Sequence, residues 1–145
     1  MIASTRTPAP GARVLVVEDD RDTALLLCSL LAVAGFDARP LPDTADVARV
    51  MLGEKITAAV VSMSGGGIVS VASLVSSLRQ RPEPALRDAA LVALVDDEFD
   101  LFFGLGAEVD SSLVRPISPV GLVDAVTEAA ATHPEARRAR LYSAI

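Results

Sequence analysis

The chain of 145 residues has one cysteine, one histidine, one tyrosine and no tryptophan, and aromatics make up only 3% of it. A single cysteine, Cys28, excludes an internal disulfide and a cysteine-based zinc site. Set in an apolar helical pattern, it reads as a small buried hydrophobe. With so few aromatics, the core has to be built from Val, Leu, Ala and Ile, which suit buried parallel strands between helices. No run approaches the ~20 apolar residues of a membrane span, and residues 1–10 have no apolar stretch of the secretory kind. A cytoplasmic protein with no membrane partner is therefore expected. An excess of basic residues is lacking too: 13 Lys and Arg stand against 19 Asp and Glu, a net charge of −6. That balance argues against a nucleic-acid partner, since phosphate binding is driven by Lys and Arg. The one basic cluster, Arg137-Arg138-Ala139-Arg140, is expected to be a frayed helix end in a polar tail, with an acidic partner as the alternative. His133, beside Pro134, has no ligand cluster around it and is expected to face solvent.

Apolar residues are plentiful, at 51%, and the length suits one domain with a substantial core. Residues 1–12 are small and polar and are expected to be a disordered leader, and 133–145 a polar, basic tail. Between them, 13–132 alternates strand and helix. Arg13–Val17 is a continuous apolar strand ended by acids. A helix from Thr23 to Ala34 follows, capped by Asp20 or Asp22, stopped by Gly35, and expected to bury Leu25, Leu26, Leu30, Leu31 and Val33. Phe36–Leu41 is a strand that its prolines place at an edge. Thr44–Leu52 is a short helix and Thr57–Val61 a buried strand. Ser62–Gly67 is a loop, and Ile68–Leu78 is a helix with Val71, Leu74, Val75 and Leu78 in the core. The prolines of Arg81–Pro84 impose a loop. Ala90–Val95 is a fourth strand, Glu98–Leu105 a helix, Leu113–Val114 a short strand and Val120–Thr132 the last helix. This (βα)5 order, with right-handed crossovers, makes an α/β fold with a doubly wound parallel five-stranded sheet of the flavodoxin-like kind. The working site of such a fold lies at the carboxyl ends of the strands.

Those ends carry Glu18-Asp19-Asp20, Ser62, Val95 followed by Asp96-Asp97, and Arg115-Pro116. The opening Val14–Asp20, the Leu105-Gly106-Ala107 turn and the Leu113–Ser118 segment together resemble the receiver (CheY-like) domains of response regulators, over about Arg13 to Ala131. The resemblance implies an acidic pair that binds Mg2+, an aspartate after strand 3 that accepts a phosphoryl group, a Thr or Ser after strand 4, a Lys after strand 5, and an aromatic switch residue. The metal needs oxygen ligands and the acceptor must be a carboxylate to form an acyl phosphate. Here the acidic pair is Glu18 and Asp19, but Ser62 stands where the acceptor aspartate belongs. Val95 replaces the hydroxyl, Arg115 the lysine, and Ser112 the switch aromatic.

A degenerate pseudo-receiver is therefore expected, with no enzymatic activity, no cofactor, and at most weak Mg2+ binding at Glu18 and Asp19. These two acids read either as residual metal ligands or as solvated strand-end carboxylates. Ser62 is expected to bond the backbone of the Gly65-Gly66-Gly67 loop, and Asp96 to cap the next helix. Function is expected to lie in phosphorylation-independent contacts with protein partners of a signalling pathway. The resemblance places the docking or homodimer face on the helix Glu98–Leu105, strand 5 and the last helix, with Phe99, Phe102, Phe103, Arg115 and Pro116. The alternatives are a phosphorylatable regulator using a non-standard acceptor such as Ser64, for which the sequence identifies no activating base, and a small-molecule sensor.

Overall fold

The structure, a computed structural model, describes residues 11–98, 100 and 105–143. Five strands form one parallel sheet: β1 Arg13–Val17, β2 Asp37–Leu41, β3 Ala58–Val61, β4 Leu91–Val95 and β5 Ser111–Val114. Their order is β2-β1-β3-β4-β5, so β2 and β5 are the edges. β1, β3 and β4 are almost wholly apolar and shielded on both faces, as strands covered by helices on either side must be. Edge strand β2 holds Pro40, which pairs with Val16 on its inner side. A proline is tolerated there because its missing N–H removes no bond from the sheet interior.

The helices are α1 (Arg21–Val33), α2 (Val47–Gly53, entered through a 3-10 turn), α3 (Gly67–Arg79), α4 (Pro84–Arg87), α5 (Pro119–Ala131) and α6 (Pro134–Ser143). Two apolar layers result. One packs α2, α3 and α4 around Val50, Val75, Leu78 and Leu86; the other packs α1 and α5 around Leu27, Leu31, Leu122 and Val126. Asp20 is the α1 cap, accepting from the Thr23 amide at 3.0 Å. Cys28 is half-buried against the second layer, and burial pushes its thiol up from the ordinary value.

Three expectations change here. α1 buries Ala24, Leu27 and Leu31, while Leu25, Leu26 and Val33 are exposed, Val33 by 91%. Thr23–Phe36 contains no charge, so the helix is apolar nearly all round and its pattern does not mark one face. The segment after Pro82 contains the short helix α4, which starts at Pro84, where a proline's missing N–H costs nothing. The C-terminal residues form α6, docked on the domain rather than frayed. His133 caps it, accepting from the Glu135 amide at 3.2 Å. Arg137, 3% exposed, bonds both Asp110 carboxylate oxygens and the carbonyls of Asp88 and Ala129. Arg138 grips Asp88 at 2.7 Å.

Candidate functional site at the strand ends

Parallel register sets the site. Val17 pairs with Val61, so the next residues, Glu18 and Ser62, come side by side. Val95 pairs with Val114, which brings Asp96 next to Arg115. After Ser62 the chain turns sharply through Met63 in the left-handed region (φ 43°), a conformation uncommon outside glycine. That turn returns Ser64 to Glu18.

Glu18 is the centre of the arrangement and is buried, 1% exposed. Its Oε1 accepts from the hydroxyls of Ser62 at 2.6 Å and Ser64 at 2.5 Å. Its Oε2 accepts from the amides of Ser64 at 2.9 Å and Asp20 at 3.0 Å. A carboxylate has about four lone-pair positions, and all are taken. Burial by itself would raise this carboxyl, but the neighbouring Asp19 side chain and the hydrogen bonds from the Asp20 amide, Ser62 and Ser64 outweigh it and hold Glu18 at about 2. Arg115 closes the network. Its Nη2 donates to the Ser62 hydroxyl at 2.5 Å and carbonyl at 3.1 Å, lies 3.8 Å from Glu18 Oε1, and its Nη1 donates to Asp96 at 2.8 Å.

Ser62 thus bonds Glu18 and Arg115, not the glycine loop. Gly65 is held differently: its amide donates to Asp19 Oδ1 at 3.0 Å, and a Cβ there would collide with that carboxylate. Glu18 is not a solvated strand-end acid. Asp96 gives its carboxylate to Arg115, while Asp100 accepts from the Asp96 and Asp97 amides at 3.3 and 3.2 Å. Val95 is 2% exposed and its side chain offers no hydrogen bond. Ser112 is half-buried in β5, paired with Ala93. Pro116 follows a cis peptide bond and is exposed. Phe99, Phe102 and Phe103 lie outside the described residues.

The five-stranded parallel sheet with its flanking helices matches the fold of solved receiver domains. A sensor protein from Polaromonas sp. JS666 is 27% identical, with a TM-score of 0.70 over 85% of this chain and 97% of that one. A putative response regulator from Chloroflexus aurantiacus is 21% identical, with a TM-score of 0.72 over 84% and 99%. The receiver domain of a sensor histidine kinase from Pseudomonas aeruginosa, whose active-site cleft coordinates a magnesium ion, is 17% identical, with a TM-score of 0.70 over 84% and 99%. The fold is that of a receiver domain. No family model matches the sequence, and no curated protein matches it.

Against the receiver pattern, the donor set does not fit a magnesium ion. Mg2+ demands oxygen ligands in near-octahedral array, whereas both Glu18 oxygens are filled by internal donors and a serine occupies the third position. Among the described residues, no group of three or more His, Cys, Asp or Glu is placed to hold a metal. The base that the sequence does not identify for a serine acceptor is Glu18, which touches both hydroxyls. Held at about 2, however, it is far from the near-neutral value an effective general base needs.

Proposed function

We propose that this chain is a pseudo-receiver that acts in signal transduction through phosphorylation-independent contacts with protein partners. One observation carries the reading: the receiver pocket is filled by its own side chains, with Glu18 saturated by Ser62, Ser64 and two amides, and Arg115 bound to Ser62 and Asp96. An acyl phosphate needs a carboxylate nucleophile, and at the acceptor position the network holds a hydroxyl. Any phosphoryl group or metal would have to displace bonds already made. No cofactor is required by this arrangement. The output is a surface, centred on β5 and the Arg115–Pro116 end, that the network holds in one state.

The test is an amide-detected NMR titration of the whole chain with acetyl phosphate, and separately with beryllofluoride and Mg2+. The expected spectra are unchanged. A saturable shift spreading from Ser62, Ser64 and Arg115 would overturn the reading and make this a phosphorylatable receiver with a non-standard acceptor. A pull-down with Arg115→Ala then asks whether partner contact depends on the pocket's cation; reduced recovery is expected.

A further inference from the structure

We infer that two copies of this chain associate through an apolar, nearly charge-free face formed by α1 and the start of α5. The face is separate from the Glu18 network and from the β5 surface proposed above, and it does not rest on the pseudo-receiver reading.

The inference starts from α1, where Thr23–Phe36 carries no charge. One side of this helix covers the sheet with Ala24, Leu27 and Leu31. The side turned away keeps Leu26, Leu30 and Val33, spaced four and three residues apart and so aligned in one stripe. Leu26 is 60% exposed and Val33 91%, with Leu25 half exposed beside them. The start of α5 adjoins the stripe. Pro119, Val120 and Val123 line, together with Leu30, Val33 and Ala34, a groove of about 300 Å3, and Val120 is 66% exposed. Asp124 is the one charged side chain lining it. A single exposed leucine or valine is ordinary, but a contiguous set marks an interaction surface.

Charge and area identify the occupant as a second copy. The chain has a net charge of −6, so two copies repel wherever their acidic side chains meet. They approach at least cost through a face that holds almost no charge. The same face has no ionic pattern with which to select a partner of opposite charge. It offers apolar side chains and accepts the same, which is the match an isologous pairing provides, and homodimer interfaces are the more apolar kind. At about 100 Å2 per whole side chain, the exposed parts of Leu25, Leu26, Val33 and Val120 give roughly 300 Å2 of apolar surface on each copy. Two such patches with their polar margins cover about 1,000 Å2, the lower bound of a specific interface. The dimer is therefore weak and reversible.

The experiment is sedimentation equilibrium of the full chain from about 10 μM to about 1 mM, at low and high salt, with amide NMR over the same range. The mass should rise towards that of two chains, with Kd on the order of 100 μM and shifts confined to α1 and the start of α5. Added salt should tighten the association, because it screens the repulsion between like-charged copies. Val33→Asp and Val120→Asp, both at exposed positions, should each weaken it at least about tenfold while circular dichroism shows the fold retained. Val69→Asp, at the exposed valine of α3, should leave it unchanged. A mass that stays at one chain up to about 1 mM overturns the proposal and leaves the face to a different protein. So do shifts centred on β5, an association loosened by salt, or unchanged affinity in both α1 and α5 variants.

Discussion

Replacing Glu18 with Gln keeps the shape of the side chain and one acceptor oxygen while removing the charge on which the strand-end network converges. Part of the cost is independent of pH: two hydroxyls and two amides must share one oxygen, and the new NH2 faces donors. Bonds to a charged acceptor are worth about 1.5–3 kcal/mol. The rest depends on pH, and its sign follows from the depressed value. Glu18 lies at about 2 in the fold against an ordinary 4.5, so it stabilises the fold fully above 4.5 and loses that contribution as the pH falls through 2. At about 1.4 kcal/mol per tenfold change in proton affinity, the gap corresponds to about 3 kcal/mol, of which about 2 kcal/mol is gone by pH 3. Urea unfolding of the native chain and Glu18→Gln at pH 7, 5, 4 and 3 measures it. The native chain should be the more stable at pH 7, and the difference should shrink steadily below pH 5. A difference constant within about 0.5 kcal/mol from pH 7 to pH 3 would refute the account of Glu18 as a buried, hydrogen-bonded carboxylate.

Arg137→Ala should destabilise the fold by about 3–5 kcal/mol, because it leaves Asp110 buried without its main partner; Arg137→Lys should recover little of it, since one ammonium cannot serve a carboxylate and two carbonyls together. Denaturant melts of the three proteins decide this. On α1, Leu31→Ala should cost about 2–5 kcal/mol, whereas Leu26→Ala, at a side chain 60% exposed, should stay within about 0.5 kcal/mol; equal losses would mean that the helix is rotated. Ser62→Asp sets a second carboxylate beside Glu18, so it should lower stability in metal-free buffer and regain it on adding Mg2+, a response absent from the native chain when thermal unfolding is followed with and without the ion.

The element order was legible because it depends on local signals. Continuous apolar runs mark β1, β3 and β4, Gly35 ends α1, and Pro119 opens α5, whereas the short helix that starts at Pro84 falls in a stretch whose prolines predict a loop. The parallel alternation then restricts the topology to few choices. That Ser62, Val95 and Arg115 fall at strand ends and Ser112 within β5 was readable too, since each sits at a fixed place relative to its strand. Their bonding was not. Ser62 turned to Glu18 and Arg115 instead of the glycine loop, and Asp96 left its capping role to Asp100. Nor did the pattern of α1 identify its buried face, because a helix apolar on every side gives no contrast between faces.

By itself, then, the sequence determined a (βα)5 receiver-type fold and which residues end its strands, Ser62 after β3 among them. Both follow from residue type and from neighbours within a few positions. Only the tertiary structure decided that Glu18 is saturated and held at about 2, and that the Arg137–Arg140 run is a docked helix clamped on Asp88 and Asp110. The reason is distance along the chain. Glu18 meets Ser62 across 44 positions and Arg138 meets Asp88 across 50, and no local propensity reports which donor will fill a given carboxylate until the sheet has brought the strand ends together.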